Sequence, residues 1–232
     1  MLKKFSLSDQ QPTTVLLCSM SCFCIALIVS RCMFSNSLVY VFLIWNLFLA
    51  MVPWLLSSSI IRQPHTRWFS FRLWFSLALW ILFFPNAPYI LTDLFHLHSR
   101  STIPLWFDLA LILSFAFTGL MFGIVSLFDL EHFFRSKLSE RIIAVSVSVV
   151  LFLAGFGVYL GRFERWNSWD ILQNPVSLML DIADRFIHPF DHPRTWAVTF
   201  LMGILLNFMY WSVRFLGVSN HNHRLAVLKQ MR

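Results

Sequence analysis

Long apolar runs separated by short polar connections set the pattern of this chain. A bilayer-crossing helix needs about 20 mostly apolar residues. Six segments qualify: 13–30, 35–56, 68–89, 104–128, 142–160 and 195–216. Two carry internal proline. Pro53 sits near the end of the second, while Pro85 and Pro88 interrupt the third, so that span is expected to be broken. The longest connection, 161–194, has a pattern of its own. Asn174–Pro175 reads as an N-cap followed by proline at the first helical position. Val176, Leu180, Ala183, Ile187 and Phe190 then recur at intervals of four and three, with Asp181, Asp184, Arg185 and His188 on other faces. This predicts an amphipathic helix over about 175–190, lying on the outer membrane surface or capping the bundle. The expected fold is therefore all-α: a single polytopic membrane domain over 1–232, with six transmembrane helices, a Pro-broken third helix and an extracytoplasmic amphipathic helix.

Composition sharpens that picture. Of 232 residues, 58% are hydrophobic and 12% charged, about half the roughly 25% charged share of soluble domains. A soluble domain of this size lacks the interior to hide so much apolar side chain. Mean hydropathy is +0.68. The net charge of +7 would suggest nucleic acid in a soluble protein. Here the basic residues sit singly between apolar runs, so the lipid bilayer is the expected partner and nucleic acid is not.

Orientation follows from where those bases fall. With the N-terminus inside, 12 of the 18 Lys and Arg lie on inner segments: Lys3, Lys4, Arg62, Arg67, Arg72, Arg135, Lys137, Arg141, Arg214, Arg224, Lys229 and Arg232. The outer segments hold Arg31, Arg100, Arg162, Arg165, Arg185 and Arg194. Both termini are expected in the cytoplasm. Tryptophans agree, with Trp106, Trp166, Trp169 and Trp196 at the outer boundary and Trp54, Trp68, Trp74 and Trp211 at the inner one. The first run is longer than a signal-peptide core of about 7–15 residues and is read as a retained span. Cys18, Cys22, Cys24 and Cys32 form no CxxC and read as small apolar helix residues rather than a zinc site. Gly119xxxGly123 and Gly157xxxGly161 are signals for close helix packing. No internal repeat is visible.

The densest polar stretch is FPNAPYILTDLFHL, residues 84–97. Pro85 and Pro88 free the carbonyls of Ile81 and Phe84, which must find partners in lipid. Asn86 and Tyr89 are available donors. Asp93 and His96 share one face if the segment is helical, or Thr92 caps a new short helix. Two further stretches reach the same outer level. WFDL opens the fourth span and carries Asp108, and LGRFERWNSWD leaves the fifth with Arg162, Arg165, Trp166, Asn167 and Asp170. These groups are expected to converge in one semi-buried polar site. Asp93 and His96 are then acid/base candidates. Asn86, Tyr89, Thr92, Asp108, Arg162, Arg165, Trp166, Asn167 and Asp170 are the ligand-binding candidates, with the arginine pair as an anion clamp. The plainer alternative is a set of structural ion pairs, Asp93 or Asp108 to Arg162 or Arg165.

A metal bound by Asp93, His96, His98 and Asp108 is weakly supported, because Asp-x-x-His alone is common and His98 faces elsewhere. No metal and no cofactor are expected. His188, Asp191 and His192 could form a surface site, but Pro189 and Pro193 point to an irregular loop. His221 and His223 read as solvated tail residues. Asn46 and Asn207 sit mid-span and read as interhelical hydrogen-bonding groups, worth about 0.6–2 kcal/mol. No G-x-S-x-G appears, so serine nucleophilic catalysis has no support.

FPNAPYILTDLFHL, WFDL and LGRFERWNSWD together resemble an uncharacterised family of bacterial polytopic membrane proteins, domain of unknown function number thirteen sixty-one. The resemblance runs from about Trp45 to Pro175. Phe107 stands where the family pattern has tyrosine, so any role of that hydroxyl is missing here. The resemblance implies a bacterial cytoplasmic-membrane protein and brings no activity. Three functions remain open. The outer cluster binds or processes the polar or anionic headgroup of a membrane-embedded substrate, such as a lipid-linked envelope precursor. Or the chain is a small transporter or oligomeric channel subunit. Or it is an accessory scaffold with a structural cluster.

Overall fold

The computed structural model describes residues 7–35, 37–62, 70–98 and 103–230, with side chains described from residue 11 to residue 217 within those ranges. Lys3, Lys4, Arg67, Trp68, Arg100 and Arg232 lie outside the described residues, as do the side chains of His221, His223, Arg224 and Lys229. The elements run α1 (Leu7–Ser35), α2 (Phe42–Ile61), α3 (Phe71–Phe83), α4 (Asn86–Tyr89), a 3-10 segment (Ile90–His96), α5 (Leu105–Phe134), α6 (Glu140–Phe163), α7 (Asp170–Gln173), α8 (Pro175–Ile187) and α9 (Pro193–Gln230). Among the described residues, six stretches are long and apolar enough to cross a membrane: Gln11–Ser35, Phe42–Ile61, Phe71–His96, Leu105–Phe134, Glu140–Phe163 and Pro193–Gly217.

The helix α5 is the centre of the bundle. Buried residues make up 67% of its most apolar window, against 17–39% in the other spans. Its first half packs with α1 and α2, through Leu17, Cys24, Ile28, Leu43, Leu111 and Phe115. Its second half packs with α3, α6 and α9, through Leu73, Trp80, Leu127, Leu130, Ile143 and Tyr210. Lipid tails are as apolar as leucine, so close packing and polar contacts must hold such helices together.

The spans differ from the expected ones mainly at their ends. The first helix continues past Arg31 to Ser35, and the second starts at Phe42 rather than at 35. The fourth continues past Phe128 to Phe134, through Asp129 and Glu131. In both places a charge read as the start of a connection is buried in the bundle and partnered by side chains of another helix. The third span runs on to His96, seven residues beyond the expected end at 89.

Candidate functional site

The site begins with a backbone problem. The α-helix of the third span stops at Phe83, Phe84 and Pro85 form a turn, and tighter 3-10 geometry follows from Ile90. Proline lacks an N–H, and the change of helix type leaves carbonyls unserved. Side chains serve them. Asn86 Nδ2 donates to the Phe83 carbonyl at 2.9 Å. Ser168 Oγ reaches the Leu82 carbonyl at 3.4 Å and accepts from Asn86 Nδ2 at 3.1 Å. Thr92 Oγ1 donates to the Tyr89 carbonyl at 2.7 Å. Arg162 Nη2 donates to the Thr92 carbonyl at 2.7 Å, and the Tyr40 hydroxyl to the His96 carbonyl at 3.2 Å. In lipid each of these carbonyls would otherwise cost several kcal/mol.

Two glycine pairs hold the segment in place. A Cβ at Gly119 would stand 2.8 Å from Ile90 Cδ1 and 3.0 Å from the Ala87 carbonyl. One at Gly157 would stand 2.6 Å from Pro85 Cγ. Gly123 meets Ala87, and Gly161 meets the Tyr89 ring. The GxxxG stripes of α5 and α6 thus clamp the Pro-Asn-Ala-Pro-Tyr turn from two sides, which brings Arg162 of α6 over the 3-10 segment.

At the centre lies Asp93, 1% exposed. Asn46 Nδ2 of α2 donates to its Oδ2 at 2.8 Å, and Arg162 Nη1 lies 3.4 Å from its Oδ1. The same Nη1 is 3.1 Å from His96 Nε2. Arginine has no acceptor, so Nε2 accepts and the neutral imidazole carries its proton on Nδ1. The His96 ring is exposed and meets Phe42 edge-on at 5.5 Å. Arg162 also lies over Phe95, 5.4 Å from the ring centroid. The arrangement is a buried carboxylate neutralised by a guanidinium that carries an exposed imidazole.

The remaining expected residues divide around this centre. Asn86, Tyr89 and Thr92 belong to its backbone frame. Asp108 does not pair with Arg162 or Arg165. It is 1% exposed and forms a two-pronged pair with Arg31 of α1, at 2.7 and 3.2 Å. The longer α1 carries Arg31 to Asp108, and Tyr40 lies under that guanidinium at 4.5 Å, linking the pair to the His96 carbonyl. Arg165 is exposed, at φ 61°, in a left-handed conformation beyond the end of α6, and forms no ion pair among the described residues. Of the two arginines, it is Arg162 that pairs with Asp93. Trp166 Nε1 donates to Asp181 at 2.7 Å. Asn167 and Asp170 bond each other, the Asn167 N–H donating to Asp170 Oδ2 at 2.6 Å. These three belong to the connector, not to the Asp93 centre.

Sequence reasoning missed Asn46 and Tyr40 as parts of the site, although the mid-span asparagine was a visible signal. It also missed a second polar cluster at the other end of α5. Asp129 is buried and accepts from Ser57 at 2.9 Å and Ser58 at 3.5 Å. Glu131 is paired with Arg135 at 2.7 Å and Arg214 at 2.5 Å, and accepts a hydrogen bond from the Tyr210 hydroxyl.

Residues 45–209 match the model of the family described as Protein of unknown function (DUF1361), and the chain belongs to that family. The match runs beyond Pro175, into the middle of α9. No curated protein and no solved structure matches the chain.

Proposed function

We propose that this DUF1361 member binds the polar or anionic headgroup of a membrane-embedded molecule at the Arg162 end of its bundle, facing out of the cytoplasm. One observation carries the reading: the exposed His96 imidazole held 3.1 Å from an Arg162 guanidinium whose charge is balanced from behind by buried Asp93. A guanidinium offers five N–H donors, and three are engaged by Asp93, His96 and the Thr92 carbonyl. The remainder suit phosphate or carboxylate oxygens. His96 Nδ1–H supplies a neighbouring donor, and is the acid/base candidate if chemistry follows. Asp93 and Asn46 are positioning residues here. The site lies beside lipid, so a lipid-linked envelope precursor is the substrate class that fits.

A second reading, an accessory membrane protein with a structural cluster, draws on the fact that both Asp93 oxygens already have protein partners. Native mass spectrometry with lipid extraction on wild type, His96→Gln, Arg162→Lys and Asp93→Asn separates the two. Headgroup binding requires a phosphate- or carboxylate-bearing lipid on wild type that is lost in His96→Gln without a change in melting temperature. Equal retention in wild type and His96→Gln sinks it. No specific lipid in any sample, with Asp93→Asn melting early, establishes the structural reading.

A further inference from the structure

The helix α8 meets three surroundings at once. At 3.6 residues per turn, Leu178, Ile182 and Arg185 share one arc, which faces the bundle. Arg185 is 4% exposed and pairs with Glu164 at 2.8 Å and with Asp181 at 2.5 Å. Glu164 also accepts from the Tyr159 hydroxyl at 2.7 Å. A second arc is polar: Ser177, Asp184 and His188 are exposed, and Asp184 lies 3.0 Å from His188 Nδ1 and 2.8 Å from His192 Nε2. The third arc, roughly 120° wide by the same spacing, is apolar and uncovered. Val176, Met179, Leu180 and Ile187, with Phe190 just beyond the helix, are 66–94% exposed.

A helix that merely capped the bundle would turn its apolar arc inward. Here the inward arc holds the ion pairs, and the apolar arc points away. Depth indicates what covers it. Phe186 packs against Phe156 and Trp196, with ring centroids 5.7 and 5.2 Å away. Phe156 lies about 10 Å, at 1.5 Å per residue, inside the Phe163 end of α6. So α8 hangs beside a membrane-crossing helix rather than above it. On the neighbouring span α9, Phe200, Leu201 and Phe208 are likewise 54–69% exposed.

We propose that α8 is an in-plane membrane helix whose Val176–Met179–Leu180–Ile187 face is seated among phospholipid acyl chains of the leaflet at the Arg162 end, with its Asp184–His188 arc in the headgroup layer. Interfacial helices seat their apolar face about 5–10 Å deep at that boundary, which agrees with the level of Phe156. The inference is independent of what binds at His96.

The test uses the full chain in phosphatidylcholine–phosphatidylglycerol vesicles. Single cysteines at Met179, Ile187, Ser177 and His188, on a background with the four native cysteines replaced by serine, are spin-labelled. Oxygen partitions into lipid and a nickel chelate stays in water. Oxygen access should exceed nickel access at Met179 and Ile187, and the order should reverse at Ser177 and His188. Nickel access at Met179 equal to that at Ser177 overturns the proposal. So does exclusion of both reagents there, which would mean a covering second copy. Wild-type protein gives a readout free of substitutions. A lipid with a diazirine on its acyl chain should form adducts within residues 176–190. Adducts confined to α6 and α9 refute the seating.

Discussion

A polar cluster lies toward each end of the bundle, one around Glu131 of α5 and one around Asp93 of the 3-10 segment, and the two are built differently. At the Glu131 end, acids and bases close on one another. Glu131 takes Arg135, Arg214 and Tyr210, and both arginines also reach Glu140, at 3.6 and 3.2 Å. This circuit ties α5, α6 and α9 together. At the other end one arginine serves one buried acid, one backbone carbonyl and one exposed imidazole. A circuit of acids and bases that pair with one another acts as a staple. A guanidinium shared between a buried acid and an exposed ring keeps capacity for something from outside.

Substitutions can break or sharpen that contrast. The largest effect belongs to the pure staple between α1 and α5. Arg31→Met strands the Asp108 carboxylate and should cost about 3–5 kcal/mol, seen as a lower melting temperature in detergent. Adding Asp108→Leu should recover most of it. A single variant that melts like wild type would remove the pair from the list of staples. Glu131→Gln comes next, at about 1.5–3 kcal/mol for weakened charge-assisted bonds. His96→Gln should stay within about 0.5 kcal/mol. Equal losses from Glu131→Gln and His96→Gln would erase the difference between the ends.

Gly157→Val tests the clamp. The new side chain collides with Pro85, and overpacking costs about 1–3 kcal/mol. Because it moves α6 off the turn, lipid retention at Arg162 should fall as well. Undiminished retention would show that the clamp does not position the site. The smallest effect is a pH response on α8. Hydrogen bonds from His188 and His192 lower the Asp184 pKa below its ordinary 3.8. A depressed folded-state value means the contribution is present above the ordinary value and fades as pH falls through the lowered one. Stability of wild type and Asp184→Asn should therefore differ more at pH 6 than at pH 2, and a difference that grows toward low pH would contradict it.

The six spans were legible because twenty apolar residues leave little else for a chain to do. Their ends were not, for one physical reason. A charge such as Arg31, Asp129 or Glu131 marks a connection only if it stays in water, and the partner that lets it enter the bundle lies on a distant helix. Asp93, His96 and Arg162 could be placed at one level from the span pattern and the Asp-x-x-His spacing. Which arginine would meet them could not. Arg162 reaches them from the last turn of α6, whereas Arg165 lies past the helix end, and where that helix stops is not announced by either side chain. Tyr210 was hidden by its apolar surroundings, since its hydroxyl matters only once α9 lies against Glu131.

The Arg31–Asp108 pair also imposes an order on biogenesis. Its members are 77 residues apart in the chain, so at about 5–20 residues per second the carboxylate is made roughly 4–15 s after the arginine. Throughout that interval the first helix has no Asp108 to settle against. The seam between α1 and α5 can close only after the second and third spans have been made, so α1 must wait for its permanent neighbour.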